Sequence, residues 1–147
     1  PVQSTNYPHH DDAQTARICA RFISHLFACQ DHPPLPSLEH FIARALHRAH
    51  RLPTCVAFAA LYLLLRLKIR FPGATGSSGQ RLFITSFMIA SKVLCDWTYS
   101  NQNWCRIARG AYVVRDINRM EREMCDYLEW RLNIDGAALQ DFEERVR

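Results

Sequence analysis

Apolar side chains along this chain recur at helical intervals, and no stretch shows the sustained alternation of a strand. In residues 37–50, Leu38, Phe41, Ile42, Ala45 and Leu46 fall at i, i+3, i+4, i+7 and i+8, one face of a helix. Ser37 stands where a hydroxyl can accept from the free N–H groups of the first turn. An earlier amphipathic stretch, 11–29, carries Ile18, Phe22, Leu26 and Phe27 near one face. Pro53, with fixed φ and no N–H, suits the first turn of a helix over 53–70 that is apolar on every side up to Arg66. A helix without a polar face must be enclosed by others, so this one is the expected centre and the most buried.

The pattern continues with a helix over 80–96. A short helix around Trp104 follows, capped by Ser100 or Asn101 and stopped by Gly110. Another, over 113–132, has an apolar row through Ile117, Met124 and Leu128, and a last one, 136–146, is capped by Asp135. Two breaks punctuate the chain. "DHPPLP" places three prolines within four residues, which no helix continues through. "PGATGSSG" holds three of the five glycines and reads as an exposed connection. It lacks the Gly-Lys-Ser/Thr ending and the preceding strand of a phosphate-binding loop. The fold class is all-α, and no repeat of fixed period is visible.

Two charges interrupt this pattern. Lys92 lies one turn from Met88, Ile89 and Cys95, and Glu121 shares a helical face with Ile117, Met124 and Leu128. Burying either alone would cost several kcal/mol. Three arrangements relieve that cost. Lys92 can reach solvent, or Asp96 four residues on; the two charges can pair with each other; or both can face a partner protein.

Composition narrows the chemistry. With 147 residues, 48% of them hydrophobic, the chain has enough material for one well-filled domain. The net charge of +4 is modest, but residues 36–71 carry six basic side chains (Arg44, Arg48, Arg51, Arg66, Lys68 and Arg70) against one acidic. The six cysteines are evenly spread with no C-x-x-C pair, which suits reduced structural thiols in the cytoplasm or nucleus. The longest apolar run, "CVAFAALYLLL", is 11 residues, too short to span a bilayer. The chain begins at Pro1 rather than methionine, which fits a piece excised from a longer protein. His40, His47 and His50 have no cysteine or carboxylate at ligand spacing, so no metal is expected, and no nucleophile–base signature suggests catalysis. Trp104 reads as a core wedge, whereas Trp97, beside Asp96 at a helix end, reads as partly exposed and open to a partner.

Several of these stretches together resemble a known family. "FMIASKVLCDWTYSN" resembles the third helix of a cyclin box, with its Ala-Ser-Lys signature, and "INRMEREMCDYLEWRLNI" resembles the fifth. "LEHFIARALHRAH", the proline-opened apolar helix and the tryptophan of "NQNW" extend the likeness over about residues 37–134, and it is to the fungal PCL-type cyclins in particular. The resemblance implies a five-helix cyclin box around a central apolar helix, with an extra helix at each end: an N-terminal segment 1–36, the box 37–134 and a C-terminal helix 135–147. It implies a regulatory subunit, itself non-catalytic and without cofactor, that binds and activates a cyclin-dependent kinase and helps select its protein substrates in cytoplasm and nucleus. Lys92 and Glu121, 29 residues apart, would grip the kinase, with Asp96, Trp97 and Met88 beside them. The Met-Arg-x-Ile-Leu motif of cell-cycle cyclins is missing from the first box helix, so an Arg-x-Leu docking patch is not expected. The rival reading, a cyclin-fold nucleic-acid-binding module of a transcription factor, rests on the basic run between Arg44 and Arg70.

Overall fold

The computed structural model describes residues 8–31, 36–75 and 78–147. The centre of the three-proline break and two residues of the glycine-rich connection lie outside these. Seven helices and no strand make up the described residues: α1 (Pro8–Phe27), α2 (Leu38–Arg48), α3 (Cys55–Arg70), α4 (Gly79–Leu94), α5 (Asn101–Ile107), α6 (Val114–Tyr127) and α7 (Gly136–Val146). Helices α2 to α6 form a bundle with α1 and α7 added at the ends; the apolar α3 packs against α1, α4 and α7, and α4 against α1, α2, α3 and α6.

The caps fall where the sequence places them. Ser37, Ser100 and Asp135 each accept from a backbone N–H three residues on, at 3.1, 3.2 and 3.0 Å. Ser78 does the same for α4, accepting from Arg81 at 3.2 Å. Pro53 accepts from Val56 N–H at 3.0 Å and so starts the turn that leads into α3.

Along α3, Val56, Ala57, Phe58, Ala59, Ala60, Leu61, Leu63 and Leu64 are each no more than 1% exposed. Cys55, Tyr62, Arg66 and Ile69 fall on one face that stays partly open, so α3 buries nine residues against ten on α4 and is not the most buried helix, contrary to what its composition suggests. α4 packs against α3 and buries an unbroken run from Phe83 to Ser91. Burial of each large side chain stabilises the fold by about 1.5–3 kcal/mol relative to exposure. The hydroxyls on α4 are neutralised within their own helix: Thr85 donates to Arg81 O, Ser86 to Phe83 O and Ser91 to Met88 O. Trp104 is fully buried, with its ring against Phe87 and Tyr99 at 5.4 and 5.7 Å, and it fixes the short α5 to the core.

Four helices, α1, α2, α4 and α6, end earlier than their pattern suggests, α6 by the widest margin. The expected 113–132 stops at Tyr127, because Glu129 and Trp130 take φ of +52° and +57° and the Trp130 N–H bonds back to Cys125 O at 2.8 Å. A similar bond, Gly110 N–H to Cys105 O at 2.9 Å, ends α5 where Gly110 was expected to stop it.

Candidate functional site

The two misplaced charges meet each other. Lys92 sits in the last turn of α4, where a cation is favoured by the helix dipole. Ser91 fixes the chain beyond it through a 2.6 Å contact with Thr98, and Ser100 then caps α5 so that Asn101 begins it. Lys92 Nζ donates to Glu121 Oε2 on α6 at 2.5 Å and to Asn101 Oδ1 at 2.7 Å. Asn101 Nδ2 in turn donates to Asn118 Oδ1 at 2.6 Å and to Glu121 Oε1 at 3.3 Å. Three helices are thus stitched by one polar network.

The network lies at the surface rather than in the core, with 36% of the Lys92 side chain and 22% of the Glu121 side chain exposed. Beside it opens a groove of about 530 Å³, walled by Ile89, Val93, Cys125, Trp130 and Leu132 and rimmed by the charged pair. Burial chiefly, with help from Glu121 and Asp126 and against Lys92, raises the Cys125 thiol above its usual range, so it serves as apolar wall rather than nucleophile. Trp130 is 62% exposed, and its indole N–H donates to Asp126 at 3.0 Å, which fixes the ring as an edge of the groove.

The other expected site residues divide. Asp96 is exposed, and no ion pair joins it to Lys92 among the described residues, because the lysine is turned toward α5 and α6. Trp97 is 44% exposed, and one ring face is covered by the Arg51 guanidinium at 3.9 Å from the ring centre. Met88 does not belong in the set. It is 1% exposed, because α4 is buried on nearly all sides at that level, and its side chain offers no surface to a partner. Asn118 and Trp130 went unrecognised in the sequence, and Asn101 was visible only as a cap. Polar and aromatic residues on helix surfaces carry no signal until the helices that unite them are in place.

The basic run does not form one face. Arg66 donates to the carbonyls of Arg131 and Asn133 at 2.6 and 3.0 Å, Lys68 to that of Ala74, and Arg70 pairs with Glu129. These three cations are committed to the fold, which removes half of the support for a nucleic-acid surface. Among the described residues, no three metal-ligating side chains gather in one place, and no helix is long and apolar enough to cross a membrane.

Comparison with known proteins agrees with this architecture. The sequence profile of the family "Cyclin, N-terminal domain" matches residues 36–133. PHO85 cyclin-1 of Saccharomyces cerevisiae is 32% identical over 107 residues, which cover 71% of this chain and 38% of that protein. PHO85 cyclin-2 of the same yeast is 30% identical over 109 residues, covering 72% and 35%. Cyclin-U3-1 of Arabidopsis thaliana is 29% identical over 103 residues, covering 70% and 46%. The chain therefore spans less than half the length of these relatives. With the helical box, the Ala-Ser-Lys and Arg-Met-Glu stretches and these matches in hand, the chain belongs to the cyclin family, as a cyclin of the PCL type.

Proposed function

We propose that this domain is the kinase-binding part of a regulatory subunit, non-catalytic itself, that activates a cyclin-dependent protein kinase. The names of the yeast relatives point to a kinase of the PHO85 kind. The observation that carries the reading is a charged network on the rim of an open apolar groove. Lys92 has three N–H donors and uses two within the domain, and Glu121 has lone pairs left after its two bonds. The remaining donor would meet a backbone carbonyl of the loop before the kinase's mobile helix, and the carboxylate a backbone N–H there. Apolar side chains of that helix would fill the groove. Exclusion of water strengthens such charge-assisted bonds. Binding would then favour the kinase state with its helix turned inward, which completes the Lys–Glu pair around ATP phosphates. Asp96, not engaged by Lys92, would accept from an arginine of the activation segment, with Trp97 alongside. Help with substrate selection, and work in both cytoplasm and nucleus, belong to the same proposal.

The test is Lys92→Ala and Glu121→Ala, made separately, with melting temperature and kinase affinity measured on each. An exposed pair contributes only about 0–1 kcal/mol to stability, so both variants stay folded. Each loses on the order of 2–5 kcal/mol of kinase binding, since the groups it met stay buried and unpaired. Variants that melt well below the parent would make the pair an internal bridge. Folded variants that still activate the kinase normally would place the interface elsewhere.

A further inference from the structure

The basic run splits in two, and its α2 half remains to be explained. His40, Arg44, His47 and Arg48 lie at helical spacing along α2 and line a groove of about 300 Å³ whose other wall is Asp12 and Ala13 of α1. Arg44 is half-buried and pairs with no carboxylate among the described residues. Arg48 commits one N–H to a long 3.4 Å bond with Ile107 O, and a guanidinium has five N–H donors. Glu39, the only acid on α2, lies across from Arg17 at 3.5 Å. Asp12 is thus the sole carboxylate among the residues that line the groove.

We propose that the α1–α2 groove docks an acidic segment of a protein substrate, with acids at alternate positions. The spacing carries the detail. Arg44 and Arg48 are four residues apart on a helix, a rise of about 6 Å. In an extended peptide, residues i and i+2 point the same way about 6.6 Å apart, so two alternate acids meet the two arginines in register. Each arginine fork can take a carboxylate through paired N–H bonds. The wall opposite the arginines carries the negative charge of Asp12, which a peptide can pass with a neutral residue and a continuous phosphate backbone cannot. The groove is built from α1 and α2 and the kinase-facing network from α4, α5 and α6, so substrate and kinase occupy separate elements. The proposal rests on the regulatory-subunit reading, because it names the substrates that such a subunit would recruit.

The experiment is fluorescence anisotropy of the isolated domain with a labelled short peptide bearing glutamates at alternate positions. A peptide with glutamine in their place and a DNA duplex of matched length are titrated in parallel. The glutamate peptide is expected to bind, and to weaken about tenfold with Arg44→Glu and with Arg48→Gln, but not with Arg106→Glu on α5. Melting curves confirm that each variant is folded, and Arg44→Glu, which breaks no described contact, carries the decision if Arg48→Gln melts early. Unchanged binding by Arg44→Glu, no binding by the parent domain, or loss of duplex rather than peptide binding in these variants overturns the proposal. Kinase capture is measured on the same proteins. Arg44→Glu that keeps the kinase but loses the peptide supports docking at this groove. A parent domain that binds peptide but captures no kinase refutes the regulatory reading and leaves the groove's chemistry standing.

Discussion

A single buried thiol shows how a residue's surroundings set its chemistry. Cys19 on α1 has no exposed surface, and burial pushes its thiol from 9.0 up to about 12. An acid with a raised pKa in the folded state holds its proton there more tightly than in the unfolded chain. Its contribution to stability is whole below pH 9 and is lost as pH rises from 9 toward 12. Unfolding free energy should therefore fall across that window, and fall less steeply in Cys19→Ala, as read from denaturant melts at successive pH values. Residue by residue, the sequence exposed the charges at Lys92 and Glu121 because they broke an apolar pattern. It misassigned Met88 for a related reason: sharing a stripe with Lys92 implies a common surface only on a helix that has one, and α4 is enclosed at that level. In the sequence, Gly79 reads as part of an exposed connection. A Cβ there would sit 2.7 Å from Leu38 Cδ2, so the glycine lets α4 start close against α2.

Helices were legible in existence and cap, less so at their C-terminal ends. The starts of α2, α5 and α7 depend on local hydroxyl and carboxylate caps, which the sequence displays, whereas α3 and α6 begin without a side-chain cap. The end of α6 depends on distant groups. Glu129 and Trp130 enter the left-handed region without a glycine to advertise it, while Arg66 holds the carbonyls of Arg131 and Asn133 beyond them. For α3, hydrophobicity was signal enough to place it in the core, but not to show that α4 packs against more neighbours. A charge placed there has no escape to solvent and no partner, so Ala59→Asp, at a fully buried position, should leave the domain unfolded by circular dichroism. A folded, cooperatively melting Ala59→Asp protein would mean that α3 is not enclosed at that level.

At the scale of the whole molecule, the end helices are part of one core with the box. Ile23 and Phe27 of α1 and Leu139 and Phe142 of α7 join the buried cluster around α3. Phe142 packs edge-on against both Phe22 of α1 and Tyr62 of α3, at 5.7 and 5.3 Å, so both ends of the described chain meet over α3. Ending the chain at residue 134 would uncover that aromatic cluster. We expect a loss of several kcal/mol, read as a lower melting temperature and increased binding of an apolar dye. The network of Lys92, Asn101 and Glu121 contains no residue of α7 and should keep its geometry, so kinase capture should persist below the lowered melting temperature.

The grip of Arg66 on the chain after α6 also has a consequence in time. Its two bonds join residues 65 and 67 positions apart, whereas α3 and α4 meet across a short connection. Closing the longer loop costs more entropy before any contact repays it, so the helical pair forms early and the C-terminal helix settles late. What docks last on a stable core tends to open first. Native-state hydrogen exchange should find the amides of α7 exchanging well before those of α3, and Arg66→Met should widen that interval by quickening α7 alone.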